Sequence, residues 1–336
     1  MELYYLSKDS LKRLINILLE ENTVHTLREN NGDLDYGVLT RDDLESTEII
    51  YSKYRAIQPI KSFFSLFSED VTADKTDTRK RIIIGVKTCD LNALAVMDKM
   101  FMEGEFIDTY YKGRRENTII ISSDCTDAKD TCFCTLLGNN PFPSSGFDLN
   151  LSPSEEGFVV EAGSEKGRAL VRTNRNIFGE EDKRLEEKRI EKRQKMKSKV
   201  ENINKKFSLK KEFWKELPLY FNSEMWEETS GPCVECGACT NACPSCYCFL
   251  LSDIEGKPGF KKIKYWDSCQ FTGYARVAGG ANPRPKLFER FRNRYLCKYD
   301  YRPGALGLVA CTGCGRCIEC CQGKIDKREV LEKVMK

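Results

Sequence analysis

Residues 233–248 read CVECGACTNACPSCYC. The first four of these cysteines keep the spacing Cys233-x2-Cys236-x2-Cys239-x3-Cys243, with Pro244 directly behind. This is the run by which bacterial two-cluster proteins hold [4Fe–4S] centres. Thiolates at every third residue wrap one cubane corner by corner, and the fourth, too far along the backbone, reaches across to the neighbouring cluster. A second run, Cys311-x2-Cys314-x2-Cys317-x3-Cys321, closes the chain. Crossing the fourth ligands assigns Cys233, Cys236, Cys239 and Cys321 to one cluster and Cys311, Cys314, Cys317 and Cys243 to the other. Structural zinc is the alternative, but zinc sites use separated ligand pairs around one tetrahedral ion, which two uninterrupted triplets fit badly. Gly237 and Gly315 occupy equivalent places in the two runs. Without a side chain there, the backbone can approach a cluster and aim N–H groups at its sulfurs.

Outside these runs the composition mostly excludes. The 54 basic residues nearly balance the 51 acidic ones, so neither nucleic acid nor an anionic membrane has an electrostatic claim on the chain. The start, MELYYLSKDSLKRLINILLEEN, lacks the basic, apolar and small-residue regions of an export signal, and no apolar run approaches a membrane span. Seventeen cysteines without such a signal read as metal ligands in a reducing cytoplasm rather than disulfides. A single histidine, His25, removes histidine triads, multi-histidine metal sites and Rieske centres; in the polar VHTLREN it is expected at the surface. Neither a G-x-G-x-x-G after a strand nor a P-loop is present, so no flavin or NAD(P) site is expected on this chain.

The pattern predicts an α+β multidomain protein. Residues 1–178 are expected to form an α/β domain, 179–215 a charged helical linker, and 216–336 a helical domain carrying the two cluster runs. Leu11, Leu14, Ile15, Leu18 and Leu19 make a helical stripe over 8–21 with Ser7 as its cap. RIIIGV (81–86) and NTIIIS (117–122) read as buried strands with LNALAVMDKMF (91–101) as the helix between them. GFVVEAG and GRALVRT suggest a hairpin. Residues 179–215 interleave acids and bases at i+3 and i+4, the signature of a solvated helix. Trp214, Tyr220, Phe221, Met225 and Trp226 announce a second core. The long stretch between Cys243 and Cys311, with Leu287, Phe288, Phe291 and Tyr295 on one helical face, is similar to the α-helical ferredoxin architecture, in which helices rather than hairpins separate the motifs.

Nine cysteines remain. Cys89, Cys125, Cys132 and Cys134 follow the two predicted strands and so fall at the C-terminal edge of the sheet, where open α/β sheets place their sites. A third [4Fe–4S] cluster is the preferred reading, buried apolar cysteine the alternative. Cys246, Cys248, Cys269 and Cys297 could ligate a further cluster or a zinc, or simply pack. Cys320 stands beside Cys321 and competes with it, although the spacing favours Cys321. Arg276, Arg284, Arg290, Arg292, Arg294 and Arg316 are candidates to offset cluster charge, with plain surface positions as the alternative.

CVECGACTNACPSCYC, YWDSCQFTGYARVAGG, RFRNRYLCKYDY and ACTGCGRC, in that order, together with QPIKSFF, GVKTCDLNAL and DTCFC upstream, resemble the beta subunits of cytoplasmic nickel–iron sulfhydrogenases, the NAD(P)-linked soluble hydrogenases. A more distant likeness is to the A subunit of anaerobic sulfite reductase. The resemblance implies a relay without substrate chemistry, passing electrons between a flavin- and NAD(P)-binding subunit and the small and large subunits of a hydrogenase. The family ends its last run in Cys-Pro, whereas this chain has Cys321-Gln322. Alternatives are the electron-transfer subunit of a sulfite reductase, a stand-alone thiol or polysulfide reductase, and a metal-stapled scaffold.

Overall fold

The computed structural model describes residues 2–46, 49–72, 77–180, 183–257 and 259–336. Its strands are β1 (Glu2–Ser7), β2 (Thr23–Asn30), β3 (Asp33–Val38), β4 (Ser68–Asp70), β5 (Arg81–Val86) and β6 (Thr118–Ser123). Next come β7 (Leu149–Pro153), β8 (Gly157–Ala162), β9 (Gly179–Glu180), β10 (Phe249–Glu255) and β11 (Phe260–Trp266). Eight of them form one sheet in the order β3-β2-β5-β6-β7-β8-β1-β9. β2, β5, β6 and β7 run parallel, and the flanking pairs are antiparallel.

The centre of this sheet is apolar on both faces, as a parallel strand covered on both sides must be. Ile82 and Ile84 face a core shared with Leu11, Leu14 and Leu18 of the helix Lys8–Leu18, while Ile83 packs with Leu91, Leu94 and Met97 of the helix Thr88–Phe101. Ser7 caps the first helix as expected, its Oγ accepting from the Ser10 N–H at 3.1 Å. At Gly85 (φ 87°) the register with β6 shifts, and Val86 turns into the second core instead of continuing the face of Ile84. A bulge of this kind re-aims the neighbouring chain, here Lys87, Thr88 and Cys89.

Three expectations need correcting. GFVVEA is a strand, but its hairpin partner is β7; GRALVRT lies in the helix Glu165–Thr173. Ser164 Oγ accepts from the Gly167 N–H at 3.1 Å, and that cap outweighs the strand preference of Val171. Between the two cysteine runs lies a hairpin, β10–β11, as well as the expected helix Leu287–Leu296. It turns through Gly259 at φ 78° and is extended by β4 from the N-terminal half, giving a sheet β10-β11-β4. His25 lies half-buried on β2, its ring 4.8 Å from that of Phe63, rather than at the surface.

The charged segment holds the largest surprise. Lys183–Asn204 is a helix, with exposed pairs such as Glu191–Lys195, yet Arg189, Met196, Val200 and Asn204 are buried. Arg189 pairs with Glu161 of β8, both nearly inaccessible, and donates to Ser152 Oγ at 2.9 Å. Arg193 reaches Asp124 at 2.7 Å, and Asn204 Nδ2 donates to the Cys132 carbonyl at 2.8 Å. The helix is therefore a clamp on the sheet. Long basic side chains cover apolar surface with their stems, so a charge-rich sequence conceals a buried face.

A further core gathers Phe213, Leu217, Trp226, Phe291, Tyr295, Tyr299 and Leu331 of the C-terminal half with Phe133 and Leu137 of the N-terminal half. Arg189→Ala leaves Glu161 buried without its partner and should lower unfolding free energy by about 3–5 kcal/mol, measured by anaerobic denaturant unfolding. A change within about 0.5 kcal/mol, normal for a solvated helix, would contradict the docked arrangement.

Candidate metal centres

Both cysteine runs are turns that lead into single-turn helices, Ala238–Asn241 and Arg316–Glu319. Each helix is entered through a left-handed glycine, Gly237 at φ 70° and Gly315 at φ 76°. The two glycines also admit close neighbours. A Cβ on Gly237 would stand 2.7 Å from the Phe271 ring, and one on Gly315 would stand 2.2 Å from the Thr131 carbonyl oxygen. Gly313 is pressed equally hard against the backbone of Cys134, and its carbonyl accepts from the Phe133 N–H at 2.8 Å. The last cysteine run is thus stacked directly on the Cys132–Cys134 turn.

The thiols fall into neighbourhoods. Cys321 and Cys236 act electrostatically on Cys233, and Cys317, Cys233 and Cys321 act on Cys239. Past Cys321, a Cβ on Gly323 would meet the Pro232 carbonyl oxygen at 2.1 Å, so the end of the second run lies against the start of the first. Cys321 Sγ accepts from the Ile325 N–H at 3.4 Å, while Cys317 and Cys239 act on the neighbouring Cys320. Cys243 and Cys317 act on Cys314, and Cys311 acts on Tyr299. The Cys246 N–H donates to the Cys243 carbonyl at 3.3 Å.

Cys89, Cys125, Cys132 and Cys134 line one small cavity at the C-terminal edge of β5 and β6, with Tyr54, Arg55, Met196 and Val200. Cys314 lines the same cavity, which sets the N-terminal thiols beside the second run. Arg55 Nε donates to the Cys314 carbonyl at 2.7 Å and its guanidinium reaches Glu319 at 2.7 Å. Arg316, between Gly315 and Cys317, grips Asp90 through two bonds of 2.8 Å and donates to the Ala56 carbonyl at 2.9 Å. Both partners are almost wholly buried, at 2% and 0% exposure. Cys246, Cys248, Cys269 and Cys297 make a separate group beyond Cys243, in which the neighbouring Cys269 thiol holds Cys248 below the usual thiol range.

These residues fit iron–sulfur clusters better than single ions. Among the described residues no three Cys, His, Asp or Glu side chains gather closely enough to hold one ion. Thiolates that each take a separate iron of a cubane stand farther apart than the ligands of one metal. Burial pushes Cys125 up to about 12 and Cys239 to about 11, so metal loading must displace protons there. Arg294 is buried beside Cys239, Cys317, Cys246 and Cys243, and its Nε has no hydrogen-bond partner among the described residues. A donor left this way costs stability unless an acceptor arrives, and cluster sulfur is such an acceptor.

Of the arginines singled out by sequence, Arg294 and Arg316 face thiols. Arg290 is neutralised by Glu235, Arg292 lies 3.8 Å over the Phe221 ring, Arg284 is half-buried and Arg276 is exposed. Sequence reasoning missed Arg55, Lys61, Asp90, Lys298 and Arg302, all buried. Only the adjacency of Cys89 to Asp90 and of Cys297 to Lys298 could have signalled any of them.

The stacked runs define an iron–sulfur protein of the dicluster class, and residues 232–325 match the family described as 4Fe-4S dicluster domain. Over 284 residues the chain is 36% identical to sulfhydrogenase 2 subunit beta of Pyrococcus furiosus, covering 83% of this chain and 80% of that protein. It belongs to the family of sulfhydrogenase beta subunits, as its motifs led one to expect. It is also 27% identical over 182 residues to the F420-dependent formate dehydrogenase subunit beta of Methanocaldococcus jannaschii, covering 54% of this chain and 40% of that one. No solved structure matches. Among the described residues no helix is long and apolar enough to cross a membrane.

Asp90→Ala strands the Arg316 guanidinium in the interior and should cost about 3–5 kcal/mol. The double variant Asp90→Ala/Arg316→Met should recover most of that loss in anaerobic thermal unfolding. A single variant as stable as the parent would show that the fork does not hold the halves together.

Proposed function

We propose that this chain is the electron relay of a multi-subunit oxidoreductase of hydrogenase type, taking electrons from or giving them to a flavin- and NAD(P)-binding subunit and exchanging them with the hydrogenase small and large subunits. The observation that carries the reading is the succession of neighbouring thiol sets. The N-terminal four share a cavity with Cys314, Cys243 and Cys317 act electrostatically on Cys314, and Cys317 acts on Cys239. Electron transfer needs closely spaced centres, and a chain built for zinc staples or for packing needs no such succession.

In this reading Cys233, Cys236, Cys239 and Cys321 hold one [4Fe–4S] cluster, Cys311, Cys314, Cys317 and Cys243 the second, and Cys89, Cys125, Cys132 and Cys134 a third. The bound clusters supply one-electron chemistry. The protein supplies their surroundings: Arg294, Arg55 and Arg316 offset negative charge, and the clamp helix closes the N-terminal site through Met196 and Val200. Residues 216–336 form a helical ferredoxin-like unit to which the β10–β11 hairpin is an addition; 1–178 and 179–215 are the α/β unit and its clamp. The location is the cytoplasm.

Anaerobically purified protein should contain at least about eight irons and as many acid-labile sulfides, and near twelve with the N-terminal site filled. Stoichiometric zinc with little sulfide would end the relay reading. Affinity capture of the native chain under argon should bring down a flavoprotein and a metal-containing catalytic subunit. Recovery as a free monomer whose clusters are reduced directly by NADH or NADPH would instead place a nucleotide site on this chain.

A further inference from the structure

Three cations are buried in one place without acidic partners. Lys61 is 3% exposed, Lys298 1% and Arg302 6%, and none of them pairs with a carboxylate among the described residues. Lys61 Nζ donates to the carbonyls of Thr240 (3.1 Å) and Cys246 (3.0 Å) and lies 4.1 Å over the Trp266 ring. Lys298 Nζ donates to Ser245 Oγ at 2.7 Å. Arg302 bonds the Ser245 carbonyl and lies 3.8 Å over Tyr247. Burying one unpaired cation costs several kcal/mol, so three together call for a concentrated negative charge among them.

The groups facing these cations are thiols. Cys246, Cys243 and Cys248 act on Lys61; Cys243, Cys246 and Cys297 act on Lys298; Cys297, Cys246 and Cys248 act on Arg302. Cys248 and Cys269 act on Tyr274, and Asp267, which also acts on Tyr274, makes no ion pair with any of the three. Local structure holds the group together. The Asp267 N–H donates to the Cys248 carbonyl at 2.9 Å, tying together the two ends of the hairpin, and Cys297 begins a π-helical turn over Cys297–Tyr301. Single π-turns inside helices are frequent at functional sites.

Cysteines that only pack offer at most scattered single charges against three buried cations. Four thiolates on an iron–sulfur cubane carry a net negative charge that grows on reduction and match them. A zinc ion needs its sulfurs close about one point, and no such gathering of three ligands occurs among the described residues. We propose that Cys246, Cys248, Cys269 and Cys297 bind a fourth [4Fe–4S] cluster, held in place by Lys61, Lys298 and Arg302. It rests on the relay reading for its electron partner alone: the backbone bond from the Cys246 N–H to the Cys243 carbonyl, 3.3 Å, sets it beside the second cluster. The same cations raise its reduction potential by stabilising added negative charge.

The test uses the whole chain, loaded anaerobically with iron and sulfide. The parent should bind about sixteen irons, and Cys269→Ala/Cys297→Ala should lose about four while its other centres keep their electron paramagnetic resonance signals. Near twelve irons in the parent and no loss in the double variant would overturn the fourth cluster and leave the relay standing, as would loss of one zinc instead of iron. Zinc throughout with little sulfide would sink both. Should the double variant fail to fold, Arg302→Met, whose thiol neighbours are Cys297, Cys246 and Cys248, carries the test by redox titration. One midpoint should fall with the others in place, and an unchanged set of midpoints would overturn the proposal.

Discussion

The buried fork between Arg316 and Asp90 is the constraint around which the molecule is arranged. Its members come from distant parts of the sequence: Asp90 stands next to Cys89 at the edge of the large sheet, and Arg316 precedes Cys317 in the last cysteine run. Planar bidentate pairing fixes direction as well as distance. Because neither charge can be left alone in the interior, the last run has to seat on the sheet edge. Arg55 and the pressed glycines Gly313 and Gly315 then close the same seam. The Cys314 turn is thereby delivered to the N-terminal thiols.

Charge is the second theme. A fold that collects many thiols for anionic clusters must supply positive charge in the interior, and it does so with long side chains whose heads reach carbonyls and aromatic faces. Arg294, Lys298, Arg302 and Lys61 are all buried, and carbonyl oxygens or hydroxyls hold them in place. A buried cation without a carboxylate is costly unless an anion faces it, and the groups acting on these four are thiols. The paired Arg290–Glu235 shows the ordinary arrangement by contrast. An arginine that already has its carboxylate says nothing about a cluster.

The clamp helix joins the two themes. Seen as sequence it is a polar rod, and seen in place it covers the N-terminal cysteine cavity with Met196 and Val200 while Arg189 and Arg193 fasten it to Glu161 and Asp124. Exclusion of water from that cavity strengthens every electrostatic interaction within it. The helix thus belongs to the site rather than to a spacer between sites.

Elements whose signal is local were legible in the amino-acid order. Cluster-type thiol spacing, the β-branched strands RIIIGV and NTIIIS, the capped helix after Ser7 and the helix through Phe291 and Tyr295 are all set within a few residues of chain, because bond geometry and side-chain periodicity act at that range. Family membership was legible for the same reason, being written in short motifs. Whatever depends on distant partners emerged only from the folded chain: the pairing of β4 with β11, the hairpin partner of β8, the buried face of the charged helix, and the half-burial of His25. The division of eight of the nine cysteines outside the two runs into two groups, one against Cys314 and one against Cys243, each beside buried cations, is of the same kind. Burial and charge compensation are properties of neighbours in space, and Lys61, lying 185 positions before the Cys246 carbonyl it grips, carries no trace of that neighbour in its own stretch of sequence.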